Sequence, residues 1–299
     1  MRTFAISVVS FLLSASLTAV RPVAQTGVLL LAHGGSESWN RNVRDIAAAV
    51  NGALPAEVAL GMAARAEIQS AHDRLVARGV TNIVAVPLFI SSHSSVVTST
   101  EYLLGLRNEM PADLKIFAAM AHGAGKEHAG HAGPADDGTK PVALRVPVRM
   151  SPALDAHPVV ADILRSRASA ISRLPLREAV ILVAHGPNDD QTNERWLANL
   201  RITAARVKSD GYASVDAVTL RDDAPKTVRD AATAELRALV ERRSTAGTRV
   251  LIVPALLSFG GIEAGIRARL EGLDYEMTTA GLAPDGRLVT WVLQMAKPQ

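Results

Sequence analysis

Residues 27–34 read GVLLLAHG and residues 179–186 read AVILVAHG. Each is an unbroken apolar run that stops at Ala-His-Gly, the pattern of a strand buried on both faces that runs out into a loop. The echo continues. Asn82–Phe89 (NIVAVPLF) and Arg249–Leu256 (RVLIVPAL) are again apolar runs with a proline near the carboxyl end. An amphipathic stretch precedes each of them, Ala64–Arg78 in the first half and Thr227–Arg243 in the second. Ala153-Leu154 followed by Ile163 is matched by Gly281-Leu282 followed by Trp291, with the same spacing from the leucine. Strands alternating with helices predict an α/β fold with a parallel sheet flanked by helices. Met twice in one order, the pattern predicts a tandem duplication of one small lobe.

Residues 25–174 and 175–299 are the two expected lobes. The first is longer by about the length of Ala118–Pro141, a segment rich in Gly, Ala and His that reads as a flexible surface insertion. Residues 1–24 fall outside both. Arg2 precedes an uncharged, largely apolar run from Phe4 to Val20, which reads as a secretory signal cleaved after Ala19 or Ala24. An uncleaved membrane anchor is the competing reading, because the run is just long enough to span a bilayer. A signal implies a periplasmic or secreted protein whose only membrane contact is this segment. The chain has no cysteine, which excludes thiolate nucleophiles, iron–sulfur clusters and Cys-based zinc sites. A net charge of +3 offers no argument for nucleic acid.

Ligands of open α/β sheets bind at the carboxyl ends of the strands. His33 and His93 fall there in the first half and His185 in the second. Where His93 stands, the second half reads SFGGIE, with Gly260 in its place and Glu263 as the nearest ligand-type side chain. Ser91, Ser92, Ser94 and Ser95 surround His93 ahead of an expected helix near Val96–Leu106. They suit both helix capping and the presentation of hydroxyls to an anionic ligand. Ser36 is the matching serine after His33. Arg41, Arg44, Arg65 and Arg149 are the candidate cations for a carboxylate-rich ligand. His72 and His157 are expected to matter little.

The runs AHGGS, VPLFISSH and ALDAHP, repeated as AHGPND, VPALLSFGGIE and GLAPD, resemble the class II tetrapyrrole chelatases of the CbiX/SirB type. The resemblance implies insertion of a divalent metal (Co²⁺, Ni²⁺ or Fe²⁺) as substrate into a sirohydrochlorin-like ring, without an organic cofactor. It implies that His33 and His93 are the metal-binding and catalytic pair, with His185 and Glu263 as their partners in a degenerate second lobe. Ser36, Ser91, Ser92 and Ser94 become substrate-binding candidates. Long members fuse two copies that short members pair as a homodimer, so a monomer with an internal pseudo-dimer is expected. Neutral imidazole suits this chemistry, since it holds a borderline metal and accepts a proton near pH 7.

Other classes fit less well. HGGSESWN is similar to the opening run of histidine phosphatases, but Ala32 and Ala184 stand where the phosphate-binding arginine belongs. It is similar also to the oxyanion loop of hydrolases, yet no G-x-S-x-G elbow is present. The remaining alternative is an exported metal- or haem-binding protein on a chelatase fold, supported by His122, His128 and His131 in the insertion.

Overall fold

The computed structural model describes residues 25–124, 138–244 and 247–297. The expected signal segment, His128 and His131 lie outside the described residues, as does the side chain of His122. The first half runs β1 (Thr26–Ala32), α1 (Glu37–Asn51), β2 (Ala56–Leu60), α2 (Arg65–Ala77), β3 (Asn82–Pro87), α3 (Ser95–Leu103), α4 (Asp113–Ala124), β4 (Val148–Met150) and α5 (Pro158–Ile171). The second runs β5 (Glu178–Ala184), α6 (Asp190–Lys208), β6 (Ser214–Thr219), α7 (Lys226–Arg243), β7 (Arg249–Pro254), α8 (Ile262–Arg269), β8 (Glu276–Met277) and α9 (Gly286–Met295).

The strands form two parallel sheets of identical order, β2-β1-β3-β4 and β6-β5-β7-β8. Their register repeats as well: Leu31 lies opposite Pro87 and Val183 opposite Pro254. Alternation along the strands sorts the core into layers. Val28 and Leu30 of β1 share one buried cluster with Val180 and Leu182 of β5, joined by α1, α5, α6 and α9. Leu29 and Leu31 face the other way, onto α2, α3 and α4. Ile181 and Val183 likewise face α7 and α8. The two sheets therefore enclose one helical layer, with further helices outside each.

Within that layer the last helix of each half reaches across to the other. α5 packs on β7 and α9 packs on β3. Arginines fasten the exchange: Arg167 donates to the carbonyls of Gly281, Leu282 and Pro284, and Arg287 to that of Asp162. A boundary between residues 174 and 175 thus divides the strands of the two lobes but not their shared core.

The segment Ala118–Pro141 is not loop throughout. Its first seven residues complete α4, with Ala118 buried and Phe117, just before it, in one core cluster with Leu114. The apolar spacing that makes them helical begins at Leu114, before the Gly-rich composition takes over.

Candidate metal and tetrapyrrole site

The Ala-His-Gly ends are built by backbone conformation. Gly34 and Gly186 have φ of +81° and +77°, the left-handed region that only glycine enters freely. At Gly186 a Cβ would also lie 2.5 Å from that of Thr219 at the end of β6. This turn ends each strand and leaves the preceding histidine on the sheet's carboxyl edge. His33 is exposed there and His185 half-buried. His33 Nδ1 lies 2.6 Å from the Gly34 carbonyl, which can only accept, so in the neutral ring Nδ1 is the donor and Nε2 is the nitrogen with a lone pair to offer.

His93, also exposed, follows the neighbouring strand β3 on the same edge. Its backbone is held on both sides. Its amide donates to Ser91 Oγ at 3.1 Å, and its carbonyl accepts from Trp196 Nε1 of α6 at 3.0 Å. The second lobe has a related contact. Trp39 of α1 lies across Gly260, where an added Cβ would meet its ring at 3.2 Å, so a side chain there would have to displace the indole by a few tenths of an ångström. Trp39 also stands edge-on to the His33 ring, with centroids 6.4 Å apart.

Several side chains expected at the ligand are engaged elsewhere. Ser91 is buried and caps the His93 amide. Ser92 Oγ donates to Asp155 Oδ2 at 2.6 Å and accepts from the Ala153 amide at 2.8 Å, which fills both its roles. These two hydroxyls are engaged within the loop itself. Ser36 caps α1, accepting from the Trp39 amide at 3.3 Å. Ser94 stands at the N-cap of α3 but makes no side-chain cap there. Glu263 folds back onto the amides of Gly260 and Gly261, at 3.1 and 2.9 Å, and so opens α8 and does not partner His185. Burial pushes its carboxyl up, but those amides and Arg267 outweigh it and hold the group below the usual range.

The carboxylate beside His185 is Asp223, with Oδ2 3.6 Å from Nε2. Arg149 donates to the carbonyls of Met295 and Lys297 at the end of α9, Arg65 to those of Lys140 and Pro141, and Arg44 to Glu37. Arg41 is exposed on α1. His72 is fully buried between Asp73 and the Arg145 amide, and His157 caps α5 through Nδ1. Both are structural. Among the described residues no three His, Asp or Glu side chains converge on one point.

Two like parallel sheets flanked by helices give the chain a chelatase-like α/β fold. Residues 27–171 match the CbiX family model, which ends where α5 ends. SirB from Bacillus subtilis with Fe³⁺ is similar over 91% of this chain and 94% of its own, at 14% identity and a TM-score of 0.59. CbiX, the terminal enzyme for biosynthesis of siroheme in denitrifying bacteria, is similar over 91% and 100%, at 14% identity and 0.54. The sirohydrochlorin chelatase SirB from Bacillus subtilis subspecies spizizenii in complex with cobalt is similar over 91% and 94%, at 12% identity and 0.53. At such identities the likeness is one of fold. No curated protein matches the chain significantly.

Proposed function

We propose that this protein inserts a divalent metal ion into a sirohydrochlorin-like tetrapyrrole, with His33 and His93 as the working pair. The observation that carries the reading is that both follow adjoining strands of the CbiX region and are exposed, with His33 Nδ1 turned to the Gly34 carbonyl and Nε2 away from it. Insertion replaces two pyrrole N–H protons by one M²⁺. The metal exchanges bound water for imidazole nitrogen before the ring nitrogens take over, and the two pyrrole protons pass to solvent water, directly or by way of an imidazole that is not holding metal. Metal and ring are both substrates, and no organic cofactor is required. Co²⁺ is the metal we favour, with Ni²⁺ and Fe²⁺ as competitors. His185, beside Asp223 and without a second imidazole, is a subsidiary ligand. The N-terminal segment supports action in the periplasm or outside the cell.

The test is an anaerobic visible-absorbance assay of sirohydrochlorin with Co²⁺, Ni²⁺ and Fe²⁺ in turn. His33→Ala and His93→Ala should each lower the rate at least about 10²-fold, the usual scale of lost acid–base catalysis, and His185→Ala should cost less. Stoichiometric binding of metal or ring without turnover would replace this reading by that of an exported metal- or haem-binding protein. Loss of insertion in His185→Ala with retention in His93→Ala would move the site to the second lobe.

A further inference from the structure

We infer that Asp155 is a positioning residue that sets the His93 loop and ties it to the opposite half of the molecule. Asp155 has φ of +44°, a left-handed conformation that L side chains enter at a cost. Its amide continues the sheet edge by donating to the Ile90 carbonyl at 3.0 Å. Its carboxylate then faces the loop. Oδ1 accepts from the Ser92 amide at 2.8 Å and from Asn199 Nδ2 at 3.2 Å, while Oδ2 accepts from Ser92 Oγ at 2.6 Å. Charge-assisted bonds of this kind are the stronger class of hydrogen bond.

Ser92 immediately precedes His93, so Asp155 fixes the peptide from which the imidazole departs. Asn199 lies three residues beyond Trp196 on α6, and Trp196 holds the His93 carbonyl. From the other lobe, Trp196 therefore holds the loop itself and Asn199, one helical turn on, holds the carboxylate that fixes it. The second half has the same backbone link, with Ala283 donating to Leu257, but carries Phe259 and Ala283 where Ser92 and Asp155 stand. It also lacks the histidine. The polar lock is present where there is an imidazole to aim and absent where there is none, although the backbone link forms in both halves; the left-handed conformation too belongs to Asp155 and not to Ala283. It is a device for His93 and not a requirement of the fold. The effect on turnover rests on the chelatase reading, whereas the effect on the loop does not.

The full-length chain carrying Asp155→Gly or Asp155→Asn tests this. Glycine accepts the backbone conformation and asparagine tolerates it, so the turn survives while the carboxylate is lost. Hydrogen exchange at the Ser92 and His93 amides should accelerate at least about tenfold in both variants, with β1 and α2 amides unchanged. For metal insertion, kcat should fall at least about tenfold while KM for the tetrapyrrole moves little. In a His93→Ala background, Asp155→Gly should cause no further loss, because the residue acts through His93. Unchanged exchange in the Asp155→Gly loop would overturn the inference, as would acceleration spread evenly over the protein. A wild-type protein without turnover would defeat the chelatase reading alone, and the exchange result would still decide the role of Asp155.

Discussion

His157 and Asp285 occupy the same place in the two halves, each accepting from the amide two residues on to cap the helix that crosses to the other lobe. They differ in how they answer to pH. Burial, together with the nearby Arg206, holds the His157 imidazole below its ordinary value, and only the neutral ring can accept at Nδ1. The folded pKa is thus lower than the unfolded one, so the unfolded chain binds the proton more readily. The stability from this cap is complete above about pH 6.5 and is lost as pH falls from there through the folded pKa. Asp285 responds in a lower range. Its pairing with Arg287 is the main reason its carboxyl stays below the usual range, so its contribution holds above about pH 4 and fails as pH falls through the folded value. His157→Asp should therefore shrink the drop in urea midpoint between pH 7.5 and 5.5, with a gain at the lower pH of about 0.5–1 kcal/mol. An identical drop in wild type and variant would show that the cap does not titrate.

At the scale of elements, Glu178 opens β5 with its side chain fully buried. It accepts from the Arg173 amide at 2.8 Å and bonds Ser172 and Arg249, so one carboxylate joins the α5–β5 connection to β7. Burial alone would raise its pKa, but these donors reverse that and leave it lowered. Its contribution is present above about pH 4.3 and lost as pH falls through the folded value. Glu178→Gln should cost about 1–3 kcal/mol at pH 7, because Arg249 is half-exposed and keeps Glu276. A measured change below a few tenths of a kcal/mol would remove Glu178 from the joint. The strands themselves were readable in the sequence, since continuous apolar runs are what a doubly covered parallel sheet requires, and two copies check one another. Strand-end His33, His93 and His185 followed from the same pattern. The serine roles were not readable, because the partner of Ser92 is Asp155, distant in sequence and in a conformation no local motif marks. Glu263 was readable and was missed: a glutamate just after Gly260-Gly261, at the start of a helix, is a capping arrangement. Nothing in local periodicity says which sheet α5 or α9 will cover.

For the whole molecule that exchange decides how it unfolds. Leu288, Trp291 and Val292 of α9 are buried in the layer between the sheets, as are Val160, Ile163 and Leu164 of α5. Neither half can separate without exposing its own inner sheet face, so the two should melt as one cooperative unit despite being copies. The chain carries its own reporters. It has three tryptophans, and all lie in the shared layer: Trp39 against Gly260, Trp196 on the His93 carbonyl and Trp291 edge-on to His157. Indole fluorescence therefore reads the junction between halves, while far-ultraviolet circular dichroism reads helices throughout. Coincident urea transitions by the two probes are expected. Trp291→Ala, which removes a fully buried ring at a cost of about 3–5 kcal/mol, should shift both together. A fluorescence change that precedes the loss of helix would mean that the halves part before they unfold. In that case α5 and α9 would be straps laid over two self-sufficient lobes and not the interior of one.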